Sequence, residues 1–119
     1  MLKSPKNKTI DISVEEGKQY LERCITVTEP VQLSTVLNKT IVGDCFDVLP
    51  NLPHRSVDLA IVDPPYNLTK TFGNTTFYKM APDEYREYTN KWLDLVLSIL
   101  KDDGTLYVSE LKSRGCCAS

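Results

Sequence analysis

The sequence predicts an α/β fold. Three observations carry that expectation: the apolar run Val57–Val62, which reads as a buried strand, a long amphipathic helix over residues 82–101, and a further strand at 105–109 directly after it. At 119 residues, 41% hydrophobic and 25% charged, the chain suits one small globular domain.

Each element has a local reason. The first residues are polar and read as frayed to about Asp11. Ser13 followed three residues later by Glu16 forms a capping box, which predicts a helix to about Arg23. Residues 25–28 alternate as a strand until Glu29-Pro30 breaks them. Residues 31–38 fit either a helical turn or an extended piece, and the spacing of Leu33, Val36 and Leu37 favours the helix. A short strand at 40–42, a turn at Gly43-Asp44, a short helix over 45–49 and a proline-bounded loop lead into Val57–Val62. Residues 67–77 are polar and contain glycine, and they read as a mobile loop. Pro82 fits the first turn of the long helix, whose apolar face is Tyr85, Tyr88, Trp92, Leu95, Val96 and Ile99. Gly104 is expected to end it as the residue just past the C-cap. The chain thus divides into an N-terminal extension (1–37), a main unit (38–109) and an irregular tail (110–119) that reads as the end of a truncated product.

Composition excludes several classes of function. The net charge of −2 gives no basic footprint for nucleic acid, which counts mildly against a complete DNA-binding protein. No signal peptide or bilayer-length apolar run is present, so no membrane partner is expected and the cytoplasm is the expected compartment. The four cysteines lack both a Cys-x-x-Cys pair and a secretory context and read as thiols. The single histidine, His54, lies in a polar loop, so no metal site is expected.

The informative stretch is Asp63-Pro64-Pro65-Tyr66, directly after the run Val57–Val62. It sets a carboxylate, a rigid backbone and an aromatic ring at the end of a strand, where open α/β sheets bind their ligands. An exocyclic amino group on a nucleobase is a poor nucleophile because its lone pair is delocalised into the ring. Two acceptors, the ionised Asp63 side chain and the Pro64 carbonyl, suit the task of holding both amino protons and returning that lone pair to nitrogen. Tyr66 would stack on the base, and Pro65 would stiffen the loop.

These residues resemble the signature of the amino-methylating DNA methyltransferases that use S-adenosylmethionine, Asp/Asn/Ser-Pro-Pro-Tyr/Phe/Trp, whose Asp form is typical of adenine-N6 enzymes. Thr40-Ile41-Val42-Gly43-Asp44-Cys45-Phe46-Asp47-Val48-Leu49 is similar to the strand and acidic turn that precede the signature in that family. Asn67 extends the signature, and the long helix and Asp103-Gly104-Thr105-Leu106-Tyr107-Val108-Ser109 follow in the family's order. The resemblance covers residues 38–109. It implies a partial Rossmann-like methyltransferase sheet in the permuted arrangement, with the catalytic half first and the half bearing the cofactor loop Phe-x-Gly-x-Gly missing.

By that resemblance Asp63, Pro64, Pro65 and Tyr66 are catalytic and Tyr66 and Asn67 bind the flipped base. Asp44, with the Cys45 backbone beside it, contacts the adenine amino group of S-adenosylmethionine. Asp44 also suits the N-cap of the helix beginning at Cys45, and the two roles are compatible. The tyrosines at 85 and 88 and Trp92 read as core, while Phe72 and Phe77 are candidate loop contacts to DNA. The implied partners are double-stranded DNA, within restriction-modification, and a complementary C-terminal half. The resemblance also implies that two strands from that half separate the strand near Ile41 from the one ending at Val62. Residues 1–119 alone are therefore expected to be inactive and partly molten or associated. Three alternatives stand beside this reading: cytosine-N4 methylation, a non-enzymatic half-domain that joins another chain, and a plain α/β domain in which Asp-Pro-Pro-Tyr is only a turn.

Overall fold

The computed structural model describes residues 11–65, 67, 70–72 and 74–109, so the readings made of residues 1–10, of Tyr66 and of the tail 110–119 lie outside it. Helix α1 (Val14–Glu22) starts from the expected capping box: Glu16 N donates to Ser13 Oγ at 3.1 Å and Ser13 N to Glu16 Oε2 at 2.8 Å. A short α2 (Leu33–Val36) resolves residues 31–38 in favour of the helical turn. The two strands expected at 25–28 and 40–42 reduce to a single parallel bridge, Ile25 to Ile41, held by Ile25 N to Thr40 O and Val42 N to Ile25 O, both 2.9 Å. Helix α3 (Cys45–Val48) tightens into a 3₁₀ turn at Leu49–Asn51, where Pro50 is compatible with an early helical position.

Strand β1 (Val57–Val62) forms as expected. A hairpin, β2 (Lys70–Phe72) with β3 (Thr75–Phe77), replaces the loop expected there, because threonines and phenylalanines favour extended pairing. Helix α4 (Pro82–Ile99) then runs into β4 (Leu100–Val108), which lies parallel to β1. The described residues therefore make an α/β arrangement with a two-stranded parallel sheet.

The end of α4 departs from expectation. Gly104 does not cap the helix; it lies inside β4. The final carbonyls are satisfied from another direction: Arg55 N donates to Ser98 O at 3.2 Å and Ser56 N to Ile99 O at 2.9 Å. With those groups met, Leu100 turns straight to extended backbone (φ −76°, ψ 138°) and no left-handed cap is required. Between the paired residues Val57 and Leu100 and the next pair, Leu59 and Thr105, the register shifts, so β4 carries an excursion at 101–104. Gly104 is required there for close approach, since a Cβ would stand 2.8 Å from the Leu100 side chain and 3.0 Å from Lys101 O. Two ion pairs edge the excursion, Lys101 Nζ to Asp58 Oδ1 at 2.8 Å and Arg55 Nη1 to Asp102 Oδ2 at 3.4 Å, both exposed and so of small weight.

Burial concentrates where α4 meets its neighbours. Trp92, Val96, Ile99 and Leu100 are buried, as are Val27 and Val48 nearer the N-terminus. β1 is not the fully buried strand its sequence suggests: Leu59 is 55% exposed and Ile61 71%, and Tyr107 opposite Ile61 is 62% exposed. An apolar run reports that a strand is suited to two-sided cover, not that both covers lie within this chain. A cavity of about 380 Å³, lined among others by Leu33, Val36, Ile41, Leu52, Val57 and Leu59, separates the Ile25–Ile41 bridge from β1.

Gly104→Ala should lower the urea unfolding midpoint by about 1–3 kcal/mol of stability, because the added methyl meets a buried leucine and a carbonyl. Asp103→Ala, on the exposed excursion, is the control and should change little. Equal midpoints for the two variants would contradict the close-approach argument.

Candidate functional site

The signature lies where β1 ends. Val62 O accepts from Ser109 N at 2.9 Å, so the last carbonyl before Asp63 is still held by the sheet. Asp63 is exposed, Pro64 is buried and Pro65 half-buried, so the aspartate sits on a packed backbone. Pro65 O accepts from Tyr85 Oη at 3.0 Å, tying the loop to the first turns of α4. Beyond residue 66, Asn67 is held twice: its Nδ2 donates to Met80 O at 3.0 Å and its Oδ1 accepts from Met80 N at 2.7 Å. Both polar atoms of the Asn67 amide thus bond to the backbone just ahead of α4, which fastens the chain at residue 67. Tyr66, assigned to base stacking from the sequence, lies outside the described residues.

The second motif packs against the same helix. Asp44 caps α3, its Oδ1 accepting from Phe46 N at 2.9 Å, and it is exposed. Gly43 is required beside it, because a Cβ would stand 2.8 Å from Cγ2 of the buried Val48. Phe46 meets Tyr88 edge to face with centroids 5.6 Å apart, and Tyr88 stacks on Tyr85 at 6.4 Å. Such aromatic pairs contribute about 0.5–1.5 kcal/mol each beyond their buried area. The chain Phe46, Tyr88, Tyr85, Pro65 therefore joins the Gly43-Asp44 turn to the proline loop.

The electrostatics follow from that packing. Burial, with the Asp44 charge next, pushes the Cys45 thiol above its ordinary pKa. The Tyr88 phenol is raised by burial first and then by Cys45, Asp44 and Tyr85. A thiol whose pKa is raised is a weaker nucleophile near neutral pH. Among the described residues no group of three or more histidines, cysteines and carboxylates is arranged to hold a metal ion, and no helix is long and apolar enough to cross a membrane.

The sequence reading did not anticipate the bond from the Tyr85 hydroxyl to Pro65 O. It assigned the residue to the core stripe of the long helix, and the ring does lie in that half-buried stripe. The available signal was chemical: a buried or half-buried tyrosine hydroxyl usually finds a partner, which a phenylalanine at that position would not need.

The model of a family described as DNA methylase, comprising N6 and N4 methyltransferases, matches residues 57–115. Among curated proteins, the Type II methyltransferase M1.MboII of Moraxella bovis is 39% identical over 72 residues, covering 60% of this chain and 26% of that protein. M.HpaI of Haemophilus parainfluenzae is 39% identical over 70 residues, covering 59% of this chain and 22% of its own length. M.BamHI of Bacillus amyloliquefaciens is 32% identical over 74 residues, covering 62% and 18% respectively. The chain thus spans about a quarter or less of the length of these relatives. No solved structure matches it.

Because the Tyr88 and Cys45 pKa values are both raised by folding, their contribution to stability is complete below the ordinary thiol and phenol values and is lost as pH rises through the folded ones. Urea midpoints measured from about pH 8 to pH 11 should fall with pH, and Tyr88→Phe should flatten the fall. An unchanged slope in that variant would contradict the assignment.

Proposed function

Since a DNA methylase family model matches residues 57–115, we propose that residues 38–109 act as the catalytic half of an adenine-N6 DNA methyltransferase. The substrate in this reading is double-stranded DNA with the target base turned out of the stack, and the methyl donor is S-adenosylmethionine. The observation that carries the reading is the loop Asp63-Pro64-Pro65 at the carboxyl end of β1, with an exposed aspartate on a backbone fastened to β4 and α4. A partial Rossmann-like sheet is the fold that accompanies it, supported by the parallel pairing of β1 and β4.

Asp63 accepts one amino proton of the base and the Pro64 carbonyl accepts the other. With both protons held, the lone pair localises on nitrogen and points out of the ring plane, ready to form the new N–C bond. The surplus proton leaves through the Asp63 carboxylate to water. Pro65 keeps the two acceptors at a fixed separation. Extrusion of the base costs about a few kcal/mol, and stacking on Tyr66 returns about 1–3 kcal/mol of that. Asn67 keeps the chain after Tyr66 in place.

S-adenosylmethionine supplies an electrophilic methyl group when bound. Asp44 fits its adenine amino group: it is exposed, only one of its oxygens is given to the helix cap, and a carboxylate accepts several donors. The neighbouring Cys45 backbone completes that contact.

In a full-length protein that also carries the cofactor-bearing half, Asp63→Ala should lower the rate of radiolabelled methyl transfer to DNA by roughly 10²–10³-fold, the scale for losing one preorganised polar contact, while Asp63→Asn keeps part of it because an amide oxygen still accepts. Near-normal rates in the alanine variant would remove Asp63 from the mechanism. Nucleoside analysis of the product separates the N6-adenine reading from cytosine-N4, since both amino groups pose the same lone-pair problem.

Tyr66→Phe should be tolerated and Tyr66→Ala should not, as stacking uses the ring face and not the hydroxyl. Fluorescence of 2-aminopurine at the target position reports extrusion. Equal signals from Tyr66→Ala and wild type would contradict a stacking role.

A further inference from the structure

The loop that bears the signature is stiffened by its own sequence. Between the Val62 carbonyl, held by Ser109, and the Pro65 carbonyl lie six backbone torsions. The rings of Pro64 and Pro65 fix two of them. Asp63 and Pro64 each precede a proline, which confines their ψ angles to the extended range. The φ of Asp63 lies ahead of both acceptors, so it turns them together and not against one another. Pro65 precedes Tyr66 and has no such restriction on ψ. That torsion is the soft joint, and it connects the two acceptors at 63 and 64 to the stacking position at 66.

We infer that Tyr85 is a positioning residue whose hydroxyl fixes this joint. It donates to the Pro65 carbonyl at 3.0 Å, and the orientation of that carbonyl is what ψ of Pro65 sets. The Tyr85 ring is itself held, stacked on Tyr88 with an interplanar angle of 23°, and Tyr88 packs against Phe46. On the far side of residue 66 the two bonds from Asn67 to Met80 fasten the chain to the segment immediately before α4. The chain is therefore anchored at residues 65 and 67, by Tyr85 within α4 and by Met80 just before it. The inference rests on the proposed roles of Asp63 and Pro64, and adds that the course of the chain leaving them is set by a hydroxyl some twenty residues downstream.

Tyr85→Phe isolates the hydroxyl, because it keeps the ring that stacks on Tyr88. In the full chain with proline labelled at the carbonyl carbon, the Pro65 resonance should move when the hydrogen bond is lost, and the Met80 amide should exchange faster as the loop loosens. The unfolding midpoint should remain close to wild type. In methyl transfer to DNA by a protein that also carries the cofactor-bearing half, kcat should fall about tenfold while the KM for S-adenosylmethionine is unchanged, because the variant disturbs the course of the chain leaving the acceptors and not the Asp44 turn. An unmoved Pro65 resonance, or a moved resonance with unchanged kcat, would overturn the inference. Inactivity of a wild-type protein that also carries the cofactor-bearing half would count against the proposed function instead. The carbonyl and exchange readouts would then still decide whether Tyr85 holds the loop.

Discussion

The structure depends on one constraint: helix α4 has to span β1 from its carboxyl end back to its start. At about 1.5 Å per residue its eighteen residues measure about 27 Å, against about 20 Å for the six residues of β1, so the helix reaches past the strand and over the loop. Its beginning receives the proline loop through Tyr85 and Asn67 through the preceding Met80. Its last carbonyls take the amides of Arg55 and Ser56, just before β1 begins. The strand and the helix are thus fastened at both ends. β4 continues from the helix and completes the unit by pairing parallel to β1.

This arrangement explains how a small set of described elements presents an ordered site. Asp63 is exposed, yet the backbone on either side of it is held by Ser109 and Tyr85. The Gly43-Asp44 turn, which belongs to a different part of the chain, is brought to the same helix by Phe46 packing on Tyr88. The forces at the two places differ in kind. The loop is directed by hydrogen bonds and proline geometry, while the turn is located by aromatic packing and by a glycine that admits Val48. Hydrogen bonds direct a group more closely than packing does, because their strength depends on angle.

Much of this was legible in the sequence. The capping box at Ser13 and Glu16, the start of α4 at Pro82 and the strand Val57–Val62 all rest on interactions between neighbours in sequence, and all three form. The signature residues could be named for the same reason, since proline geometry and an ionised carboxylate are local properties. The end of α4 could not be read. Gly104 looked like a cap because a glycine after a helix commonly is one, but Arg55 and Ser56, more than forty residues away, meet the helix carbonyls first. The polar stretch after Asn67 looked like a loop and pairs as a hairpin instead, because strand pairing is decided by a partner and not by composition.

The sequence by itself determined the chemistry on offer: which residue is an acceptor, which backbone bonds are stiff, and where the elements begin. Tertiary structure decided which of these groups meet. Tyr85 became the partner of Pro65 only because α4 folds back along β1, and Asn67 was committed to Met80 by the same return of the chain. The exposure of Ile61 and Tyr107 was also decided at that level. Periodicity records the cover that a face is suited to, while the neighbours actually present depend on contacts between residues far apart in sequence, which no local pattern encodes.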